Sequence, residues 1–352
     1  VLDRPGGRHI HERPIPRLGG LGLVLGIVVA VVPNVPLDRQ YVAILVGTGL
    51  IAFLGAVDDA VGMPPLAKFA GQAACALLPI SQSVTIDHLT LPVVLNSGTD
   101  LGVLQYPVTL LFIVAVANIV NFADGMDGLA AGICAIASGT FVLLAASLGR
   151  TSSAVLAAAL CGACLGFLRW NFHPAKVFMG DSGALPLGFL LACISVQGVM
   201  KTAAALSLIF PLLVLLVPIL DTSFVIAKRL KYGQNPMEGD RSHFHHRMLS
   251  IGYSQRQAAL LLYAWCGVLA LFAMAARFLH YRVHGRWHTM PTLLLTAMAL
   301  VALAFSVYVV YALEILKYRH VRFFGLARKA PADDDLPLIE GRRRRRAAHH
   351  AP

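Results

Sequence analysis

The stretch "PVTLLFIVAVANIVNFADGMDGLAAG", Pro107 to Gly132, runs an apolar segment into two asparagines and two aspartates at three-residue intervals, then back into apolar sequence. Carboxylates in or beside a bilayer are costly unless they are paired, hydrated or metal-bound. The rest of the chain has the same character. Of its 352 residues 57% are apolar and 13% charged, and a mean hydropathy of +0.70 lies far outside the soluble range. An ordinary soluble enzyme is excluded; the composition predicts an all-α polytopic membrane protein, and no nucleic-acid partner is expected.

Apolar runs long enough or nearly long enough to span occur at 18–37, 41–57, 66–80, 106–123, 129–148, 153–168, 184–200, 203–227, 257–280 and 289–316, giving about ten transmembrane helices. The third, "LAKFAGQAACALLPI", is the weakest. No long polar stretch interrupts the series, so residues 1–320 read as one integral membrane domain. Residues 321–352, with the run "GRRRRR", read as a disordered, basic cytoplasmic tail. Between the third and fourth runs, "SVTIDHLTLPVVLNSGTDLGVLQY" alternates β-branched residues around an Asn-Ser-Gly break, which predicts a short extracytoplasmic β-hairpin. All six cysteines lie in apolar runs, and the C-x-x-C of Cys161 and Cys164 reads as helix packing rather than redox chemistry.

Positive residues are retained on the cytoplasmic side. With the N-terminus inside and ten alternating spans, 23 of the 29 Lys and Arg residues fall inside and six outside. The same topology brings Asp58, Asp59, Asp124, Asp127 and Asp181 to the cytoplasmic face, together with "HERPIPRLGG", "RWNFHPAKVFMGDSG" and "GDRSHFHHRML". A transporter would more naturally carry such groups in mid-span. The distribution favours a site at the membrane boundary.

Each motif admits a structural and a chemical reading. In "FLGAVDDAVG", Asp58 and Asp59 are adjacent and point about 100° apart on a helix, so they cannot serve one ligand in the same way; a hydrated helix end is the plain alternative. Asn118, Asn121 and Asp124 share one helix face, which fits either polar interhelical packing or a ligand approaching past Gly125 and Gly128. Asp181 opens an apolar helix, as a cap or as part of a phosphate site. Phe178, three residues before it, either packs or stacks on a base. Arg241, His243, His245, His246 and Arg247 crowd into seven residues. They lack a zinc pattern and suit a phosphorylated ligand better. Asp221 reads equally as a helix-pairing residue and as support for the site. Clustered carboxylates repel an anionic substrate unless a divalent cation intervenes, and hard oxygen donors with phosphate oxygens are what Mg²⁺ prefers. The combination points to phosphoryl transfer at the membrane surface.

Together "HERPIPRLGG", "FLGAVDDAVG", "LAKFAGQ", "NIVNFADGMDGLAAG", "NFHPAKVFMGDSG", "PILDT" and "DRSHFHHRML" closely resemble, in order, the polyprenyl-phosphate N-acetylhexosamine-1-phosphate transferases, specifically the bacterial UDP-N-acetylglucosamine branch. The resemblance implies an enzyme of the bacterial plasma membrane, dependent on Mg²⁺ with Mn²⁺ as the alternative, in which a polyprenyl phosphate displaces UMP from UDP-N-acetylglucosamine. By motif position it implies that Asp58, Asp59, Asp124 and His245 are catalytic, Asp58 acting on the lipid phosphate. Asp181 and Asp124 would hold the metal, and Asn118 and Asn121 would support the substrate. Asp127 and Phe178 would hold the uracil, while Arg241, His243, His246 and Arg247 grip diphosphate and sugar. A homodimer is compatible with it. The H-x-H-H loop differs from the HHH form of the muramoyl-pentapeptide translocases, which are the alternative along with a non-enzymatic lipid-phosphate transporter or scramblase. The Arg-rich tail resembles actinobacterial members, for which the acceptor would be decaprenyl phosphate. Relatives carry eleven spans, with one before "HERPIPRLGG", so the native protein is expected to begin upstream of Val1. His9 stands where relatives usually have lysine.

Overall fold

The computed structural model describes residues 2–3, 15–16, 19–89, 99–200, 212–213, 215–231, 244–250, 252–279, 282–283 and 286–315. The chain is mostly helical. The α-helices among the described residues are α1 (Gly19–Val31), α2 (Arg39–Val61), α3 (Pro65–Ser81), α4 (Gln105–Ala123), α5 (Leu129–Ser147), α6 (Thr151–Asn171), α7 (Asp181–Ser195), α8 (Leu216–Lys231), α9 (Phe244–Ser250), α10 (Gln255–Phe278) and α11 (Thr289–Ile315). Among the described residues, six segments are long and apolar enough to cross a membrane: Arg39–Val61, Gly102–Ala123, Leu129–Ser147, Thr151–Asn171, Gln255–Phe278 and Thr289–Tyr311. The protein is therefore read as a multi-pass membrane protein. Helices also occupy the predicted runs 18–37, 66–80 and 184–200, where α1, α3 and α7 have 13, 17 and 15 residues, and the later part of the run 203–227, where α8 has 16; residues 203–211 of that run lie outside the described residues.

Local chemistry sets the helix ends. Asp38 caps α2 by accepting from the amides of Gln40 and Tyr41 at 2.9 and 3.0 Å. Gly62 ends it at φ 69°, a conformation that favours glycine. Ser254 and Gln257 form a reciprocal capping box on α10. The first apolar run was predicted to reach residue 37, but α1 stops at Val31. Pro33 and Pro36 cannot continue a helix, and the Asn34 side chain caps the freed Ala30 carbonyl at 2.9 Å.

Helix α7 is the hub. Every residue from Ser182 to Ser195 is buried, and α1, α2, α4, α5 and α6 all pack on it. Glycine permits the closest approaches. A Cβ on Gly55 would lie 2.3 Å from the Asp181 carbonyl oxygen, and one on Gly20 2.2 Å from the Gly183 nitrogen. The main core fills the spaces around α7 with Phe141, Phe189, Ile27, Ile44 and Ile51. A second cluster around Trp265, Phe244 and Met248 reaches Met126 and Leu129, which ties α9 and α10 to the turn before α5. Large apolar side chains on α11, including Leu293, Leu300, Val301 and Leu303, are more than half exposed, as lipid-facing residues would be.

His88 and Leu89 pair antiparallel with Asp100 and Thr99 at the predicted hairpin; residues 90–98 between them lie outside the described residues. So does the predicted tail at 321–352.

Candidate active site

The end of α2 presents its two carboxylates in different directions, as adjacent helical positions must. Asp58 turns toward α3, with Oδ1 accepting from the Met63 amide at 2.6 Å and Oδ2 2.8 Å from Lys68 Nζ. Asp59 turns toward α7 and accepts from the backbone amides of Asp181 and Ser182 at 3.1 and 3.0 Å. Two of the four amides that a helix start leaves without partners are thereby satisfied by a carboxylate from another helix. Negative charge there also meets the positive end of the helix dipole. Gly180 and not Asp181 is the cap position of α7, so Asp181 is released to point its own carboxylate outward.

That carboxylate meets Lys68. The ammonium group contacts Asp181 Oδ2 as well as Asp58 Oδ2, and Asn121 Oδ1 lies 3.5 Å from it. Asn121 Nδ2 donates to Asp181 Oδ1 at 2.7 Å. Four elements, the end of α2, the start of α3, the end of α4 and the start of α7, thus bring two carboxylates and a carboxamide around one cation. One turn deeper, Gln72 and Asn118 pair reciprocally, with Asn118 Nδ2 donating to Gln72 Oε1 at 2.5 Å and Gln72 Nε2 to Asn118 Oδ1 at 3.3 Å. Gln72 is 1% and Asn118 7% exposed, so the lower rung of this ladder packs α3 against α4, while the upper rung faces the site.

Beside the cluster, the α4–α5 turn is fastened to the segment between α6 and α7. Asp124 caps α4, its amide donating to Asn121 O at 3.2 Å. Asp127 Oδ2 accepts from the Ala175 amide at 3.0 Å and lies 2.8 Å from His173 Nδ1. Buried Asn171 bridges the Gly128 amide at 3.0 Å and the Val177 carbonyl at 2.9 Å. Tyr263 donates to the Gly128 carbonyl, and Arg256 Nε to the His173 carbonyl at 3.0 Å. Phe178 lies on this same segment, half-buried, with its carbonyl accepting from the Gly19 amide at 3.2 Å.

Asp221 has a positioning role: its Oδ1 accepts from the Phe244 amide at 2.7 Å and so anchors the start of α9 to α8. Phe244 stacks on Trp265 at 6.0 Å, and Arg247 lies over the Phe224 ring at 4.4 Å. Arg241 and His243 fall outside the described residues; His245 and His246 lie on α9, with side chains outside the description.

The model of the glycosyl transferase family 4 matches residues 41–199, which contain the whole acidic cluster. A Bacillus subtilis (strain 168) protein named "Probable undecaprenyl-phosphate N-acetylglucosaminyl 1-phosphate transferase" is 37% identical over 264 residues, covering 75% of this chain and 74% of its own length. This chain belongs to glycosyl transferase family 4. Within the family it groups with the polyprenyl-phosphate N-acetylglucosamine-1-phosphate transferases. The decaprenyl-phosphate N-acetylglucosaminephosphotransferase of Mycolicibacterium smegmatis is 37% identical over 306 residues, 78% of this chain and 75% of that one. A phospho-N-acetylmuramoyl-pentapeptide-transferase of Clostridioides difficile matches less of it, at 34% over 209 residues, 56% of this chain and 65% of that one.

Among the described residues of this family member, no three His, Cys, Asp or Glu side chains form a metal-binding group. The donor chemistry at Lys68 nonetheless fits a hard cation. Mg²⁺ takes one or two carboxylates and completes its shell with water and phosphate oxygens; Asp58, Asp181 and the Asn121 carboxamide oxygen already converge on a positive charge. Lys68 itself was not singled out from sequence, because one lysine near the start of an apolar run reads as a snorkelling boundary residue. Its i, i+4 relation to Gln72 in "LAKFAGQ" was the available signal. Asn171 opens the quoted stretch "NFHPAKVFMGDSG" without a role assigned to it there, and Tyr263 stands in a plain apolar run.

Proposed function

We propose that this chain transfers N-acetylglucosamine-1-phosphate from UDP-N-acetylglucosamine to a polyprenyl phosphate, releasing UMP. An oxygen of the lipid phosphate bonds to the sugar-bearing phosphorus, and the bond from that phosphorus to the UMP oxygen breaks. The names of the relatives support this chemistry. The observation that carries it is the convergence of Asp58, Asp181 and Asn121 on Lys68 at one end of the helix bundle. A membrane-boundary site with that charge pattern suits two phosphorylated reactants, one of them held in the bilayer.

Asp58 orients the acceptor phosphate, with Lys68 offsetting charge beside it; a phosphate dianion needs little deprotonation near neutral pH, so placement and neutralisation do most of the work. Asp59 positions α7. Asp181, Asp124 and Asn121, with Asp58 beside them, would hold Mg²⁺, which would supply charge neutralisation at the phosphoryl oxygens. Asp127 and Phe178 receive the uracil, and Arg241, His243, His245, His246 and Arg247 close on the diphosphate and sugar. The site faces the cytoplasm of a bacterial plasma membrane, which residues 1–320 cross ten times.

Purified protein in detergent, given UDP-N-acetylglucosamine, decaprenyl phosphate and Mg²⁺, will release UMP; EDTA or Asp181→Asn will stop it. UDP-N-acetylmuramoyl-pentapeptide serving as the better donor would move the assignment to the muramoyl branch, and lipid flux without UMP would make the protein a transporter.

A further inference from the structure

A groove of about 330 Å³ lies between α1 and α6, apart from the acidic cluster. Gly19, Gly22 and Gly26 line one wall, and Ala163, Gly166 and Trp170 the other. A Cβ on Gly22, Gly26 or Gly166 would meet nothing within 4 Å, so none of the described residues fills this space. At its mouth the half-exposed Trp170 ring has the Arg169 guanidinium 5.9 Å and the Lys176 ammonium 5.6 Å from its centroid. The Lys176 amide donates to the Trp170 carbonyl at 2.8 Å, which holds both cations at the same end of the groove.

We propose that this groove binds an anionic phospholipid, one acyl chain lying along the glycine face and the headgroup phosphate between Arg169 and Lys176. The charges choose the occupant. An apolar trough alone would accept any hydrocarbon, whereas an interfacial tryptophan flanked by two basic side chains is suited to a negative headgroup. A second copy docking symmetrically through this face would bring like charges together. Occupancy also touches the proposed site indirectly: Lys176 belongs to the segment that carries Phe178 and leads to Asp181, and Gly19 and Gly20 donate to the Phe178 and Met179 carbonyls at 3.2 Å each. The bound lipid would fasten α1, α6 and that segment to one another.

Native mass spectrometry of the full chain, offered equal phosphatidylglycerol and phosphatidylcholine in mixed micelles, tests the assignment without reference to catalysis. Wild type will retain phosphatidylglycerol selectively. Arg169→Gln with Lys176→Gln will lower that preference about 30-fold, at roughly fivefold per basic residue, while Lys176→Arg keeps it. Gly22→Leu with Gly166→Leu, which enters open space, will lose the retained lipid with both cations intact. Unaltered selectivity in the charge variant, lipid retention in the filled groove, or displacement of the phosphatidylglycerol by one equivalent of decaprenyl phosphate would each overturn the proposal. Melting temperatures in lipid-free detergent confirm that each variant is folded.

Discussion

Asp59 accepts a hydrogen bond from the Asp181 amide at 3.1 Å, across 122 residues of sequence. One carboxylate of the Asp58–Asp59 pair therefore builds the helix start on which another acid of the cluster stands. Removing a helix cap costs about 0.5–2 kcal/mol. Asp59→Ala is expected to lose stability in that range and to lower UMP release by displacing Asp181. Asp59→Asn, which keeps an acceptor oxygen, should recover most of the stability. Thermal melting of both variants distinguishes this from a purely chemical role, for which the two would melt alike.

Lys68 occupies the point toward which Asp58, Asp181 and Asn121 turn their oxygens. Lys68→Met leaves two carboxylates close together without their cation. Transfer is expected to fall at least a hundredfold, in line with the roughly 10²–10³ lost when one preorganised charge-stabilising donor is removed. Binding of Mn²⁺ in the absence of nucleotide is expected to tighten, because the competing ammonium is gone. Electron paramagnetic resonance titration reads that change directly; weaker Mn²⁺ binding in the variant would separate Lys68 from the metal position.

Much of this arrangement is written in local sequence. The helices follow the apolar runs, and the divergence of Asp58 from Asp59 follows from 100° per residue. Asn121 meets Asp181 on the face that its spacing from Asn118 marks out. The partners that complete the site depend instead on helix packing. Asp59 reads as an acid at a helix end until α7 is placed against it, and Lys68 reads as a boundary lysine until α2, α4 and α7 converge there. Asn118 belongs to the same stripe as Asn121, yet one turn of depth commits it to Gln72 rather than to the carboxylates. The Asn171 bridge joins two irregular segments and leaves no periodic signature.

The approach of α2 to α7 depends on the missing side chain at Gly55, where a Cβ would lie 2.3 Å from the Asp181 carbonyl oxygen. Backbone cannot give way as a flexible side chain would. Gly55→Ala is expected to destabilise the protein by about 1–3 kcal/mol, the usual cost of overpacking, and to reduce transfer by moving Asp58 and Asp59 away from α7. On the same helix, a Cβ on Gly49 meets nothing within 4 Å, so Gly49→Ala should be neutral or stabilising by about 0.5–1 kcal/mol. Parallel melting curves and UMP assays check the contrast.

The reciprocal pair of Gln72 and Asn118 separates packing from substrate contact. Each buried amide satisfies the other at 2.5 and 3.3 Å, and Asn118 Nδ2 also reaches the Val114 carbonyl at 2.8 Å. Truncating one partner strands the other, at about 1–3 kcal/mol for a buried polar group. Asn118→Ala and Gln72→Ala are each expected to lose stability by that amount. The double variant should lose less than the sum, because no orphaned amide remains. The KM for UDP-N-acetylglucosamine should stay within about twofold in Asn118→Ala, since a group that binds substrate and transition state equally would raise KM when removed. A large rise in KM with no coupling in the stability cycle would instead return Asn118 to the substrate.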